Sequence, residues 1–164
     1  TSGAVSAGKF DYVPNVVKKF KLSNYFKGVM IRPGKPFLFA KIKGKQKVFF
    51  GLPGNPISSA SCFRFFVYPF LMNSLGIEEE KSFKATMKNY YTKKKKFTRF
   101  VRGKLNTTKN GKIEVKIFKD QESFRIKPFL NSNVWVVLPS GKSNFKKGQI
   151  VDCFFSNLPN NTLI

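Results

Sequence analysis

Histidine is absent from this 164-residue sequence, and that absence excludes more chemistry than any residue present. A Ser-His-Asp triad, a Cys-His dyad and a histidine-held metal all need an imidazole, so none can be built within these residues. Acidic residues are scarce as well: 8 Asp and Glu stand against 31 Lys and Arg, a formal net charge of +23. Two cysteines occur, Cys62 and Cys153. Far apart and each inside an apolar run, they read as buried free thiols of a cytoplasmic protein rather than a disulfide framework. Long hydrophobic runs are lacking too. Arg64, Pro69 and short turns interrupt the apolar stretches, so no segment reads as a membrane span. No basic start leads into an apolar core and a small-residue cleavage site, so no secretory leader is expected. The first residue is Thr1, inside a glycine-bearing loop, and the sequence reads as part of a longer protein.

What is present is enough to fold. Hydrophobic residues make up 41%, sufficient for the cores of one domain or two small ones. A charge of +23 attracts anions: nucleic acid, phosphate ligands or acidic membranes. Lys, Phe, Asn and Ile are all abundant, however, and the lysines are spread along the chain, so compositional drift is the plainer reading. The one block is "TKKKKF", Thr92 to Phe97. The 20 phenylalanines sit in apolar runs rather than alternating with lysines, which argues against nucleic acid as a partner.

The pattern changes along the chain. Residues 1–11 are small and polar, a loop signature. Val13 to Phe20 reads as a short helix with Pro14 in its first turn. "GVMIR" and "FLFAKIK" read as strands flanking the turn Pro33-Gly34-Lys35-Pro36, and "KVFFG" as a third. Phe37, Phe39 and Lys41 alternate with Leu38, Ala40 and Ile42, so neither face of that strand is clearly polar and both are expected to be covered. A helix from about Pro56 to Leu75 is apolar nearly all round, which predicts burial between layers, a kink at Pro69 and a stop at Gly76. Glu78-Glu79-Glu80 marks a boundary, giving an α/β segment over 1–77 and an all-β segment over 78–164. In the second, "FKATMKN", "FTRFVRGKL", "KIEVKIF", "VWVVL" and "QIVDCFF" alternate with period two. Asn110-Gly111 predicts a hairpin turn. Five short strands in about 80 residues suggest a small barrel or sandwich.

Three loops could hold an anion. "GLPGNPIS" joins a strand to a helix start, where free N–H groups and the positive helix end face one ligand. Gly54 permits close approach, Pro53 and Pro56 fix φ, and Asn55 or Ser58 can cap the helix. "TSGAVSAGKFD" offers Ser2, Gly3, Ser6 and Gly8 with Asp11 beyond, a carboxylate suited to Mg²⁺ or a hydroxyl. "IRPGKP" sets Arg32 and Lys35 around a tight turn, as an oxyanion clamp would need. Each alone reads equally as a rigid turn, a cap or a solvated basic turn; their number favours an anionic ligand.

Taken together, "TSGAVSAGKFDYV", "VMIRPGKPFLFAKIKGKQKVFFGLPGNPISSASCFRFFVYPFLMNSLG" and "NSNVWVVLP…KKGQIVDCFF" resemble the MoeA/gephyrin E-domain family of molybdopterin molybdenumtransferases. The resemblance implies molybdenum cofactor biosynthesis. In that chemistry molybdate enters adenylyl-molybdopterin with Mg²⁺ assistance and AMP is released. It also implies cytoplasmic homodimers of four-domain subunits and a MogA-like adenylyltransferase as a possible partner. Residues 1–77 would then be the C-terminal part of a three-layer MogA-like α/β domain, and 78–164 a β-barrel domain. Such a piece alone would be inactive.

Carried over by position, Ser2, Gly3, Ser6, Gly8 and Asp11 match the pterin-phosphate and metal loop. Arg32 stands where the family commonly has lysine, a basic position implicated in oxyanion binding, and with Lys35 of the PGKP turn and Arg102 would neutralise molybdate and phosphate. Pro33, Gly34 and Pro36 match one pocket-lining loop, and Pro53, Gly54, Asn55, Pro56 and Ser58 the other. Arg102 matches the family's barrel arginine, and Ser123 lies ten residues before Asn133 as in a Ser…Ala-Asn pattern, with "NSN" standing where the family has Ala-Asn. Asp11, Arg32 and Lys35 would be the reaction's charged groups. Departures are Ala4 for glycine, Ala7 for a larger residue, and Lys9 for an acid, which puts the metal site in doubt. A scaffold module, as in gephyrin, is the alternative, with nucleic-acid binding behind it.

Overall fold

The computed structural model describes residues 1–3, 5, 11–122, 124 and 126–156. It divides into two compact units, Thr1–Glu79 and Glu80–Ile164.

In the first unit, α1 (Val13–Lys18) starts with a proline in its first turn. Strands β1 (Leu22–Lys27), β3 (Leu38–Ile42) and β4 (Val48–Gly51) form an antiparallel sheet in the order β1-β3-β4, and β2 (Ile31–Arg32) is two residues long. The expected strand "GVMIR" thus shrinks to its last two residues. The partner of β3 is instead "LSNYFK", whose exposure repeats every third residue and so carries no period-two signal. Backbone bonds from Gly28 to Phe37 (2.7 Å) and from Val29 to Lys35 (2.9 Å) close the β1–β3 connection.

The pleat sends alternate side chains of β3 to opposite faces. Leu38 and Ala40 pack with Val17, Val13, Leu22, Tyr25 and Phe49 under α1. Phe37 and its register neighbours face the other way: Phe37 stacks on Phe66 at 4.7 Å, and Phe50 meets Phe70 edge-on at 5.2 Å. Those partners lie on a continuous helical run, α2 (Pro56–Cys62), a π-helical turn (Phe63–Val67) and α3 (Tyr68–Ser74). Helix, sheet and helix make three layers.

The predicted helix is therefore present, with two differences. Pro69 falls in the first turn of α3, where its missing N–H is tolerated. The change of register lies upstream, in the π-helical turn. The run is also covered on one side only, since Phe63, Phe70, Leu71 and Leu75 are exposed. Gly76 ends it at φ +71, with the Ile77 N–H bonded back to the Met72 carbonyl at 2.9 Å.

The second unit is a closed barrel. Strands β5 (Phe83–Met87), β7 (Thr98–Thr107), β8 (Ile113–Ile117), β9 (Val134–Leu138) and β11 (Ile150–Phe155) follow the order β7-β8-β5-β11-β9, and β7–β9 pairing closes the ring. Val115 and Ile117, Val134 and Val136, Val151 and Cys153 are all buried. Ile113, expected on the same face as Val115, is exposed at the end of β8, and Trp135 is buried as well, so β9 is covered on both faces. At Gly103 the strands approach so closely that a Cβ would lie 2.9 Å from a Val115 methyl. The Asn110-Gly111 turn joins β7 to β8, with Gly111 at φ +73. Two short strands, β6 (Tyr91–Thr92) and β10 (Asn144–Phe145), pair as a separate ribbon, and α4 (Lys127–Leu130) is one turn long. Pairings of two residues are too short to leave a period. Among the described residues no helix is long and apolar enough to cross a membrane.

Candidate functional site

The "TSGAVSAGKFD" and "GLPGNPIS" loops are brought together. Thr1 to Gly3 runs alongside the exit of β4: Leu52 N–H donates to the Thr1 carbonyl (2.8 Å), and Gly3 N–H donates to the Leu52 carbonyl (3.0 Å). Ser2 and Leu52 form a parallel bridge. A side chain on Gly54 would begin 3.4 Å from the Gly3 Cα. Ser2 and Gly54 are exposed there, and Pro53 is buried.

One polar group at this junction, the Asn55 side chain, is unsatisfied by protein groups among the described residues. Asn55 stands at the N-cap of α2 with extended backbone, yet its side chain makes no capping bond. Pro56 has no N–H to offer, and Ser59 is the first residue to bond back, to the Asn55 carbonyl at 2.9 Å. The side-chain oxygen Oδ1 of Asn55 is buried without a partner. The expected cap is therefore not made by Asn55, and Ser58 is buried inside the helix. An orphaned buried oxygen carries a cost of about 1–3 kcal/mol, which a ligand donor would offset.

The "IRPGKP" loop lies elsewhere on the same helix. Gly34 adopts φ +113, its carbonyl accepts from the Cys62 thiol at 3.6 Å, and a Cβ there would sit 2.5 Å from Cys62 Sγ. The loop thus docks on the last residue of α2, not on its first turn. The Arg32–Pro33 bond is cis, Pro36 is half-buried, and Arg32 and Lys35 are both exposed. Burial pushes the Cys62 thiol up to about 12, so it serves as packing and not as a nucleophile.

In the barrel, Arg102 is 1% exposed. Its Nε donates to Gln121 Oε1 (3.2 Å) and its Nη2 to the Glu122 carbonyl (3.3 Å). Burial lowers its pKa from the ordinary arginine range; Asp120 and Tyr91 oppose this, and Arg99 reinforces it. Beside it opens a cleft of about 600 Å³ lined by Tyr91, Arg99, Lys119, Asp120, Gln121 and Glu122. Arg99 lies over the Tyr91 ring at 5.8 Å. Tyr91, Arg99 and Gln121 are additions to the predicted set. Gln121 had no signal in residue type, being one uncharged residue in a loop. An apolar cavity of about 400 Å³ under α1 is lined by Val13, Val16, Phe20, Leu22 and Phe49 among others and offers no cation for an anion.

Asp11 is half-buried. Among the described residues no three His, Cys, Asp or Glu side chains gather in a metal-binding group. A single carboxylate does not make a resident Mg²⁺ site, though Mg²⁺ is commonly held by one carboxylate together with substrate phosphates. Ser6, Gly8 and Ser123 lie outside the described residues.

Comparison with known proteins covers both units. Residues 1–73 match the model of a probable molybdopterin binding domain, and residues 84–154 match the MoeA C-terminal region, domain IV. The chain is 36% identical over 154 residues to a molybdopterin molybdenumtransferase of Staphylococcus aureus (strain COL) and 34% identical to one of Staphylococcus epidermidis. These alignments cover 93% of this chain but only 36% of each relative, so the chain spans about a third of their length. A molybdopterin biosynthesis moeA protein from Pyrococcus horikoshii superposes with a TM-score of 0.70 at 24% identity, over 95% of this chain and 36% of that one. A molybdenum cofactor biosynthesis protein from Pyrococcus furiosus gives 0.65 at 20%, over 86% and 51%.

Proposed function

This chain belongs to the MoeA family, and on that premise we propose that it supplies anion-binding walls of a molybdopterin molybdenumtransferase. The full protein would insert molybdate into adenylyl-molybdopterin and release AMP. The observation that carries the reading is the junction of Ser2-Gly3 with Pro53-Gly54 at the start of α2, where Asn55 makes no side-chain capping bond to the helix.

The residues then divide the work by chemistry. Backbone N–H groups at the start of α2 and the glycine at position 54 receive the terminal phosphate of the pterin, aided by the positive helix end. Ser2 lies at this junction, and Ser6 and Gly8 are assigned to the same role by their position in the motif alone. Arg32 and Lys35, exposed on their turn, attract and orient molybdate, and Pro33, Gly34 and Pro36 hold the turn in shape. Arg102 and Ser123 of the second unit are assigned an anion-binding role by their position in the family pattern alone. Nothing here requires a histidine: the dithiolene of the substrate takes the metal oxyanion, and the protein contributes positioning and charge. Asp11 is the one carboxylate in the first 77 residues. In this reading Asp11 would hold Mg²⁺, which would supply positive charge to the substrate's phosphates. A cytoplasmic homodimer, supplied with adenylyl-molybdopterin by a MogA-like adenylyltransferase, completes the proposal, and residues 1–164 alone are expected to be inactive.

The test is equilibrium binding of molybdate and adenylyl-molybdopterin to the full protein, with turnover measured in parallel. Arg32→Ala is expected to weaken molybdate binding about tenfold or more, the scale of a lost hydrogen bond to a charged group. Asp11→Ala is expected to reduce turnover and its Mg²⁺ dependence. Unchanged binding and turnover in both variants would remove the assignment.

A further inference from the structure

We infer that Gln121 is a positioning residue, holding the guanidinium of Arg102 in the direction from which it meets an oxyanion; the inference rests on the reading of Arg102 as an anion-binding group. The β7–β8 ladder runs from Thr107↔Ile113 to Gly103↔Ile117 and there stops. Beyond it, the Phe118 N–H reaches the Arg102 carbonyl at 3.1 Å. Gln121 completes the pairing. Its Nε2 donates to the Arg102 carbonyl (2.8 Å) and to the Phe118 carbonyl (2.9 Å), and its Oε1 accepts from the Arg102 backbone N–H (2.9 Å).

The same Oε1 also accepts from Arg102 Nε at 3.2 Å. One amide oxygen therefore binds the backbone and the side chain of a single residue, and all four bonds available to the Gln121 amide are used. That closes a ring through the Arg102 side chain and fixes its torsions relative to β7. The Glu122 carbonyl takes Nη2 at 3.3 Å, so the anchored edge of the guanidinium is held by two consecutive residues.

Two other amides make the comparison. Asn89 brackets Ile117, accepting from its N–H at 2.9 Å and donating to its carbonyl at 3.2 Å. Asn133 brackets Leu105 in the same way, at 2.7 and 3.3 Å. Both replace a missing strand partner and touch only the backbone of the residue they bracket. At Gln121 alone of these three does the bracket extend to a charged side chain, and that extension is what the barrel ladder does not need.

The charges around Arg102 give the extension a purpose. Asp120 attracts the guanidinium and Arg99 repels it, and Asp120 lines the cleft. A released guanidinium would swing toward that carboxylate and present a neutralised face to an incoming anion. Arginine recognises an oxyanion through a planar fork, so its direction matters as much as its charge.

The test is a double-mutant cycle on the full protein, with molybdate as the probe and thermal unfolding measured alongside. Gln121→Leu is expected to weaken molybdate binding about tenfold, within the range of coupling between contacting residues. In an Arg102→Ala background the same substitution is expected to change affinity no further while still lowering the melting temperature. Asn89→Ala, which breaks a backbone bracket only, is expected to lower the melting temperature and leave molybdate affinity unchanged. If Gln121→Leu does not fold, Gln121→Glu carries the cycle. It keeps the two accepted bonds and is expected to weaken binding by pairing with the guanidinium, again only when Arg102 is present. An equal loss with and without Arg102, or a loss for Arg102→Ala and none for either Gln121 variant, overturns the positioning role. No loss for Arg102→Ala removes the anion-binding reading itself, and the inference with it.

Discussion

Gly34 is the residue whose identity is most tightly constrained by its surroundings. Its φ of +113 is a region L side chains rarely adopt, and a Cβ would lie 2.5 Å from Cys62 Sγ and 3.1 Å from an Ile31 methyl. Neither neighbour is free to withdraw, since Ile31 and Cys62 are both buried. Gly34→Ala is expected to cost about 2–4 kcal/mol, combining backbone strain with overpacking. Chemical denaturation would read this as a lower midpoint at unchanged slope. Cys62 gives an independent check on the same contact. With its thiol pushed up to about 12 by burial, it should resist alkylation at pH 8 in the native protein and react fully in denaturant. In Gly34→Ala the rate at Cys62 is expected to rise. At this scale the sequence was readable for identity but not for neighbours. The motif "RPGKP" marked Gly34 as a turn residue, while its contact with a cysteine 28 positions away is long-range and has no local signature.

Elements follow the same division. Strands of five or more residues with one buried face, such as β8 and β11, leave a period-two trace and were legible. So was the Asn110-Gly111 hairpin, because the turn itself demands those residues. The strand β1 was not, because its exposure repeats every third residue and its place in the sheet comes from pairing with β3. The π-helical turn at Phe63–Val67 was equally silent: proline at 69 signalled a break, and the backbone absorbed it upstream. Asn133 shows what motif reading leaves open. Matched as part of a Ser…Ala-Asn pattern, it turns out to finish the edge of β7 at Leu105. Asn133→Ala would leave both the N–H and the carbonyl of Leu105 without that partner. The expected loss is about 2–3 kcal/mol, visible as a lower urea midpoint with the β-sheet circular dichroism retained at low denaturant.

At the scale of the molecule, the charge of +23 was readable as a total and unreadable as a field. Residues 88–108 contain no acidic residue, nor do residues 134–150. The two stretches are laced together by the Lys93 N–H to the Ser143 carbonyl (2.9 Å), the Gly141 N–H to the Lys95 carbonyl (2.9 Å), and the β6–β10 ribbon. They gather exposed Lys94, Lys95, Lys96 and Lys142 at one place on the barrel. Ion pairs such as Lys84–Asp152 and Lys88–Glu114 cancel little of this. Each is partly exposed, and exposed pairs contribute at most about 1 kcal/mol. Asp152 is held below the ordinary carboxylate range chiefly by its bonds from Lys84 and Ser82. Its small contribution is therefore present at neutral pH and is lost as pH falls through the lowered value. The uncompensated field has a different consequence, acting on the encounter with a dianion rather than on the bound state. Replacing Lys94, Lys95 and Lys96 together by Gln is expected to slow molybdate association severalfold at low salt and leave dissociation unchanged. At about 0.5 M salt, where the Debye length falls to a few ångströms, the difference should vanish. Stopped-flow binding across a salt series separates the two rates. A change confined to dissociation would mean that these lysines touch the ligand directly, and no change at any salt would reduce the block to composition.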